Sequence, residues 1–261
     1  ATMMDKMTVA LIQTVQAWED KAANFKHFEP LIREASSADL IVLPEMFSTG
    51  FSMNSAPLAE PASGETVTWL QDMSNASGSV LTGSFIAEEN GQYFNRGFWV
   101  APDALPEFYD KRHLFRMSGE HEHYSPGSAF KVFSLHTCRV CLQICYDLRF
   151  PAFSRNKKNS YDLLVFVANW PAARRTQWRA LLQARAIENQ CIVVGVNRVG
   201  SDGNGTQYSG DSLLVNPEGE VLIDARDHDG IFTQEIDLAS IRAYRERFPA
   251  WRDQDQFSID L

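Results

Sequence analysis

Three side chains able to do chemistry stand in three separate stretches, two of them where strand-like runs give way to polar sequence. Cys145 lies in Gln143-Ile-Cys-Tyr-Asp-Leu-Arg-Phe-Pro151, at the end of the run 140–144. A thiol at a strand end can face a cleft on a rigid backbone. The amide N–H groups after it are then free to meet a carbonyl oxygen, the arrangement nucleophilic catalysis needs. A free Cys is more often a small buried hydrophobe, so Cys145 alone does not decide between the two readings. Leu40-Ile-Val-Leu-Pro-Glu-Met-Phe47 adds a carboxylate: four apolar residues read as a strand, Pro44 ends it, and Glu45 follows. Apolar neighbours should desolvate Glu45 and raise its pKa towards that of a general base. Phe108-Tyr-Asp-Lys-Arg-His-Leu-Phe115 supplies Lys111, a fixed positive charge. Singly, Glu45 and Lys111 read as surface charges.

These residues must be positioned by alternating strands and helices. Strands are expected over 8–13, 40–44, 79–87, 93–101, 163–168, 191–197, 212–216, 221–224 and 231–236. Residues 130–144 read as a strand or hairpin. Turns are expected at Asn90-Gly91 and Pro217-Glu-Gly219. Helical spacing of apolar residues predicts helices over 24–36, 65–74, 176–189 and 238–247. Pro30 falls inside the first of these, within its expected first two turns, where it costs least. Helical crossovers plus hairpins mean a mixed α/β architecture. No repeat or linker breaks the chain, so one domain is expected over 5–261, with 247–261 as a C-terminal tail. Asn169 and Trp170 follow a buried strand and should share the strand-end rim with Glu45 and Cys145.

Composition excludes several functions. A net charge of −9, from 24 basic and 33 acidic side chains, argues against general nucleic-acid binding. No apolar run is long enough to span a bilayer, and residues 1–7 lack the apolar centre of a signal peptide. A cytoplasmic location is expected. Cys138 and Cys141 have the gap of a metal or redox pair, but strand alternation points them to opposite faces, so reduced thiols are expected and no metal. Gly200-Ser-Asp-Gly-Asn-Gly205 lacks the Lys-Ser/Thr of a phosphate loop and reads as a turn.

Together and in this order, the three stretches resemble the nitrilase superfamily of carbon–nitrogen hydrolases, closest to its ω-amidase branch. Ala168-Asn-Trp-Pro171, Ala184-Arg-Ala-Ile-Glu-Asn189 and Gly210-Asp-Ser212 extend the resemblance over essentially the whole chain. It implies a four-layer α-β-β-α sandwich, a Glu45, Lys111, Cys145 triad and no cofactor. It also implies a second carboxylate beside the lysine, Glu120, with Glu122 a near rival. In the implied reaction, Glu45 takes the Cys145 proton while Lys111 favours the thiolate. Lys111 and the Tyr146 N–H receive the oxyanion, and a thioester forms and is hydrolysed. The expected substrate is a short dicarboxylic monoamide such as 2-oxoglutaramate, released as 2-oxoglutarate and ammonia. Its carboxylate wants a bidentate arginine, from Arg116, Arg149, Arg174 and Arg175. Arg149 doubles as a partner for Asp147 or Glu45, so Arg116 and Arg174 rank first. His121 and His123 carry little metal signal. A homodimer is expected, with Phe248, Trp251 and Phe257 as apolar anchors of a tail that crosses to the partner or folds back on its own subunit. Two other readings stay open: another superfamily activity (N-carbamoyl hydrolase, deaminated-glutathione amidase or nitrilase) and a catalytically silent binding or scaffold member.

Overall fold

The structure is a computed structural model describing residues 5–261; the expectation drawn from residues 1–7 lies partly outside them. Along the chain come β1 (Lys6–Gln13), α1 (Lys21–Glu34), β2 (Leu40–Val42), α2 (Ser55–Leu58), α3 (Glu65–Ser77), β3 (Val80–Glu89), β4 (Gln92–Val100) and β5 (Glu107–Asp110). Then follow α4 (Glu120–His123), β6 (Val132–Leu135), β7 (Cys138–Ile144), α5 (Pro151–Ser154), β8 (Leu163–Val167), α6 (Arg175–Asn189) and β9 (Ile192–Val196). The chain closes with β10 (Val199–Ser201), β11 (Gln207–Ser209), β12 (Leu213–Val215), β13 (Val221–Asp224), β14 (Gly230–Asp237) and α7 (Leu238–Arg247).

Two six-stranded mixed sheets result, in the orders β14-β1-β2-β3-β4-β5 and β13-β12-β9-β8-β7-β6. Each has three parallel strands at its centre, β1-β2-β3 and β7-β8-β9, flanked by antiparallel pairs. Strand alternation sorts the core into layers. Val9 and Leu11 of β1 join Val140, Leu142 and Ile144 of β7 in one cluster. Ala10 and Ile12 face the other way, with Phe28 and Ile32 of α1 and Leu70 and Met73 of α3. Helix α6 covers the second sheet so closely that a Cβ on Gly195 would lie 2.5 Å from Leu182 Cδ1. Between the sheets, Gly97 fills the same need, since its Cβ would meet Leu142 Cδ2 at 2.8 Å. This is the expected four-layer α-β-β-α sandwich.

Local differences have identifiable causes. Helix α1 begins three residues before the expected 24 because Asp20 caps it, accepting from Ala23 N at 3.0 Å. Pro30 is therefore its tenth residue, in the interior, not in the first two turns. The stretch 130–144 is a hairpin, β6-β7. The Gly-rich turn at 200–205 belongs to a further hairpin, β10-β11, outside both sheets. The tail lies on its own chain: Lys157 Nζ donates to Phe257 O at 2.6 Å, and Arg112 Nη2 to Asp260 O at 3.0 Å.

Candidate active site

Glu45 follows β2 and Lys111 follows β5 in the first sheet; Cys145 follows β7 and Asn169 follows β8 in the second. All four sit where strands of the two docked sheets end, the usual place for ligands in α/β proteins. Two turns there are strained. Met46 has φ 44° and Cys145 has φ 47°, a left-handed conformation that costs an L-residue about 1–2 kcal/mol. Hydrogen bonds hold both. Gln16 Nε2 donates to Glu45 O and Met46 O (3.1 and 2.6 Å), and Met46 N donates to Ser84 Oγ at 2.8 Å. Beyond Cys145, the buried Asp147 carboxylate accepts from Ile144 N (3.0 Å), Tyr109 OH (2.6 Å), and the backbone N and Nδ1 of His113 (3.0 and 2.7 Å). Asp147 thereby ties the segment carrying Lys111 to the turn carrying Cys145.

Glu45, Lys111 and Glu120 are fully buried, and Cys145 is 8% exposed. Lys111 Nζ donates to Glu45 Oε2 and Glu120 Oε1, both at 2.9 Å. Asn95 Nδ2 donates to Glu45 Oε2 (2.7 Å) and Glu120 Oε2 (3.0 Å). Asn169 N donates to Glu45 Oε1 at 3.0 Å, and Phe115 N to Glu120 Oε1 at 2.6 Å. Cys145 Sγ lies 3.8 Å from Asn169 O. Glu120 is the carboxylate beside the lysine, and its rival Glu122 is exposed.

The electrostatics follow from burial. Desolvation raises the Glu45 pKa; Lys111 opposes the rise and Glu120 adds to it. This agrees with the expectation from its neighbours. For Lys111 burial works against the ammonium, but Glu120 and Glu45 outweigh it and the pKa is raised. Cys145 departs from expectation. Burial pushes the thiol well up, Glu45 pushes it further, and the Lys111 charge does not reverse this. The sulfur therefore rests as a thiol.

A cleft of about 370 Å³ opens over Cys145. Phe51, Phe115, Tyr146 and Trp170 form its apolar walls, and Asp202 and Tyr208 of the β10-β11 hairpin close one side. Asn169, Trp170 and Arg174 line it as expected from the sequence. Arg116 does not line it: that side chain is exposed, on the single 3₁₀ turn Arg116–Ser118. Arg175 is turned away, paired with Asp211 at 2.8 Å. Arg149 is in the cleft instead and pairs with neither Asp147 nor Glu45. Its guanidinium lies 5.4 Å from the Trp170 ring centroid, and that of Arg174 5.3 Å from the Phe115 ring. Among the described residues neither guanidinium has a carboxylate partner.

Sequence reasoning passed over Asn95. The available signal was a short polar residue inside the strand-like run 93–101, where Asn is disfavoured. It also passed over the hairpin wall, because a turn reading does not say what the turn overhangs.

The comparisons with known proteins agree with this geometry. The family model for carbon-nitrogen hydrolase matches residues 8–246. Omega-amidase YafV of Escherichia coli (strain K12) is 44% identical over 98% of this chain and 100% of its own length. The 2-oxoglutaramate amidase of Bacillus subtilis (strain 168) is 33% identical over 95% and 97%. Among solved structures, XC1258 from Xanthomonas campestris, described as a CN-hydrolase superfamily protein with an arsenic adduct in the active site, superposes with a TM-score of 0.95. It is 39% identical and covers 97% of this chain and 99% of its own. With a buried acid–lysine–thiol cluster at the mouth of a two-sheet sandwich and a family match over nearly its whole length, the chain belongs to the carbon–nitrogen hydrolase family.

Proposed function

We propose that the protein is an ω-amidase, hydrolysing the terminal amide of a short dicarboxylic monoamide of the 2-oxoglutaramate type to the acid and ammonia. The observation that carries this is the position of Lys111 Nζ, 2.9 Å from both Glu45 and Glu120, beneath a cleft that holds Cys145 and two arginines without carboxylate partners. The names of the similar proteins, omega-amidase and 2-oxoglutaramate amidase, support the substrate class.

The Glu45 carboxylate removes the Cys145 proton as Sγ attacks the amide carbon. The carbonyl oxygen becomes an oxyanion, met by the Lys111 ammonium and the Tyr146 N–H. Tyr146 is the second residue of its 3₁₀ turn, where a backbone N–H has no intrahelical acceptor. When the tetrahedral adduct collapses, the C–N bond breaks and protonated Glu45 gives its proton to the nitrogen. Ammonia leaves and a thioester remains on Sγ. Glu45 then takes a proton from water, the hydroxide adds to the thioester, and the C–S bond breaks. Sγ recovers the proton from Glu45, and the acid is released. Glu120 fixes Lys111, and Arg149 and Arg174 bind the distal carboxylate, with Asn169 and Trp170 framing the amide.

We also propose that residues 5–261 act as one domain and that two chains form a homodimer, supported by the half-exposed apolar side chains of Ile187 and Phe248. The four cysteines, all unpaired and buried, support a cytoplasmic location. The test is ammonia release from 2-oxoglutaramate, succinamate and butyramide. Faster turnover of the two anionic amides, abolished by Cys145→Ala, is expected. Equal turnover of butyramide, or an active Cys145→Ala, overturns the proposal.

A further inference from the structure

The two carboxylates beside Lys111 share a second partner. Asn95 Nδ2 donates to Glu45 Oε2 at 2.7 Å and to Glu120 Oε2 at 3.0 Å. A primary amide nitrogen carries two hydrogens, and here each has its own carboxylate. The opposite end of the amide is pinned: Asn95 Oδ1 accepts from Ser84 Oγ at 2.8 Å, and the same hydroxyl oxygen accepts Met46 N at 2.8 Å. A flipped amide would set its oxygen against two carboxylates, so one orientation is enforced. The backbone of Asn95 acts too, since Lys111 N donates to Asn95 O at 3.0 Å. One fully buried residue of β4 thus touches Glu45, Glu120 and Lys111.

We infer that Asn95 is a positioning residue. It holds the Glu45 and Glu120 carboxylates together around a single lysine and leaves Glu45 Oε1 as the oxygen that exchanges protons with Cys145 and the leaving nitrogen. The inference rests on the amidase reading. Three observations support it. Oε2 of Glu45 is occupied by Lys111 and Asn95, whereas Oε1 carries only the Asn169 N–H. Two carboxylates and one ammonium leave the enclosed cluster one positive charge short, and two further N–H dipoles compensate part of that deficit. Ser84 makes the link directional, so a change at Ser84 should be felt at Glu45 although Ser84 touches neither carboxylate in any hydrogen bond.

The experiment uses Asn95→Ala and Ser84→Ala, with kcat/KM for ammonia release from succinamate followed against pH. Alkylation of Cys145 by iodoacetamide is followed over the same range by peptide mass. The titratable groups facing Glu45 are Lys111, Glu120, Cys145 and Tyr124, and both variants keep them. Losing a donor to a carboxylate raises its pKa, so the acid limbs of turnover and of alkylation should move to higher pH. Asn95→Ala should lose about 10- to 100-fold in kcat/KM, mainly through kcat. Ser84→Ala should lose less, with its limb moving the same way. Folded variants whose acid limbs coincide with the parent overturn the inference, whether or not activity falls, because a scaffold role would leave the limb in place. If Asn95→Ala does not fold, the Ser84→Ala limb decides by the same criterion. An active Cys145→Ala instead removes the amidase reading, a result separable from unmoved limbs in an enzyme that depends on Cys145.

Discussion

Replacing Glu120 by Gln keeps shape and removes charge, and the structure says what must follow. The carboxylate serves three donors: Lys111 Nζ and Phe115 N on Oε1, at 2.9 and 2.6 Å, and Asn95 Nδ2 on Oε2 at 3.0 Å. Gln offers one acceptor oxygen. With that oxygen in the Oε1 place, its NH₂ faces the NH₂ of Asn95. The opposite placement sets an NH₂ against an ammonium and a backbone N–H, which is worse. The better choice leaves one buried N–H contact unsatisfied, about 1–3 kcal/mol, and weakens the Lys111 bond from charge-assisted to neutral, about 1 kcal/mol. The sum, about 2–4 kcal/mol, corresponds to roughly 30- to 1000-fold if it falls on the transition state. The assay is kcat/KM for ammonia release from succinamate, beside a thermal melt that detects any share paid by the folded state. A folded Glu120→Gln protein within about threefold of the parent would refute the assigned geometry, because no orientation of the amide satisfies all three donors.

Other predictions concern acidity, binding and packing. Burial raises the Glu45 pKa, so Glu45 stays protonated to higher pH than an ordinary glutamate, near 4.3. Activity should be present above the raised value and lost as pH falls through it, and a kcat/KM profile whose acid limb lies at or below the ordinary value would contradict this. Arg149→Met should raise KM for succinamate about 10- to 100-fold, the worth of a charge-assisted bond, with butyramide hydrolysis little changed; equal effects on both amides would remove Arg149 from carboxylate binding. Gly195→Ala would bring a Cβ 2.5 Å from Leu182 Cδ1 and 2.9 Å from Trp178 Cζ2. About 1–3 kcal/mol of overpacking should lower Tm by roughly 2–10 °C with KM unchanged, and an unaltered Tm would show that α6 yields more easily than its packing implies.

Glu45 and Cys145 are conspicuous in the sequence because each is polar at the end of a strand-like run, a local signal that needs no three-dimensional knowledge; Lys111 stands out only through the family resemblance, since the short strand β5 before it gives no such run. Apolar periodicity and hairpin turns made the mixed α/β character readable, whereas the four-layer sandwich is what the family resemblance implies, because periodicity reports buried faces and not how layers stack. Arg149 and Arg116 show where such signals stop. Arg116 lies five residues from Lys111 and Arg149 four from Cys145, so linear distance does not choose between them. Which one enters the cleft depends on the left-handed turn at Cys145 and on the 3₁₀ turn that follows it. Asn95 stayed hidden because its partners are 25 and 50 residues away. The early start of α1 depends on Asp20, a cap whose effect exceeds that of apolar spacing at a helix end.

The placement of the reacting groups has one more consequence. The acid and the ammonium hang from one sheet, the sulfur and Asn169 from the other. Neither half of the sandwich owns a working centre. A swollen state that kept every strand and helix yet let the layers drift apart by an ångström or two would retain its far-ultraviolet circular-dichroism spectrum and lose turnover. Ammonia production thus gauges how tightly the layers are pressed together, a quantity that far-ultraviolet spectroscopy does not see.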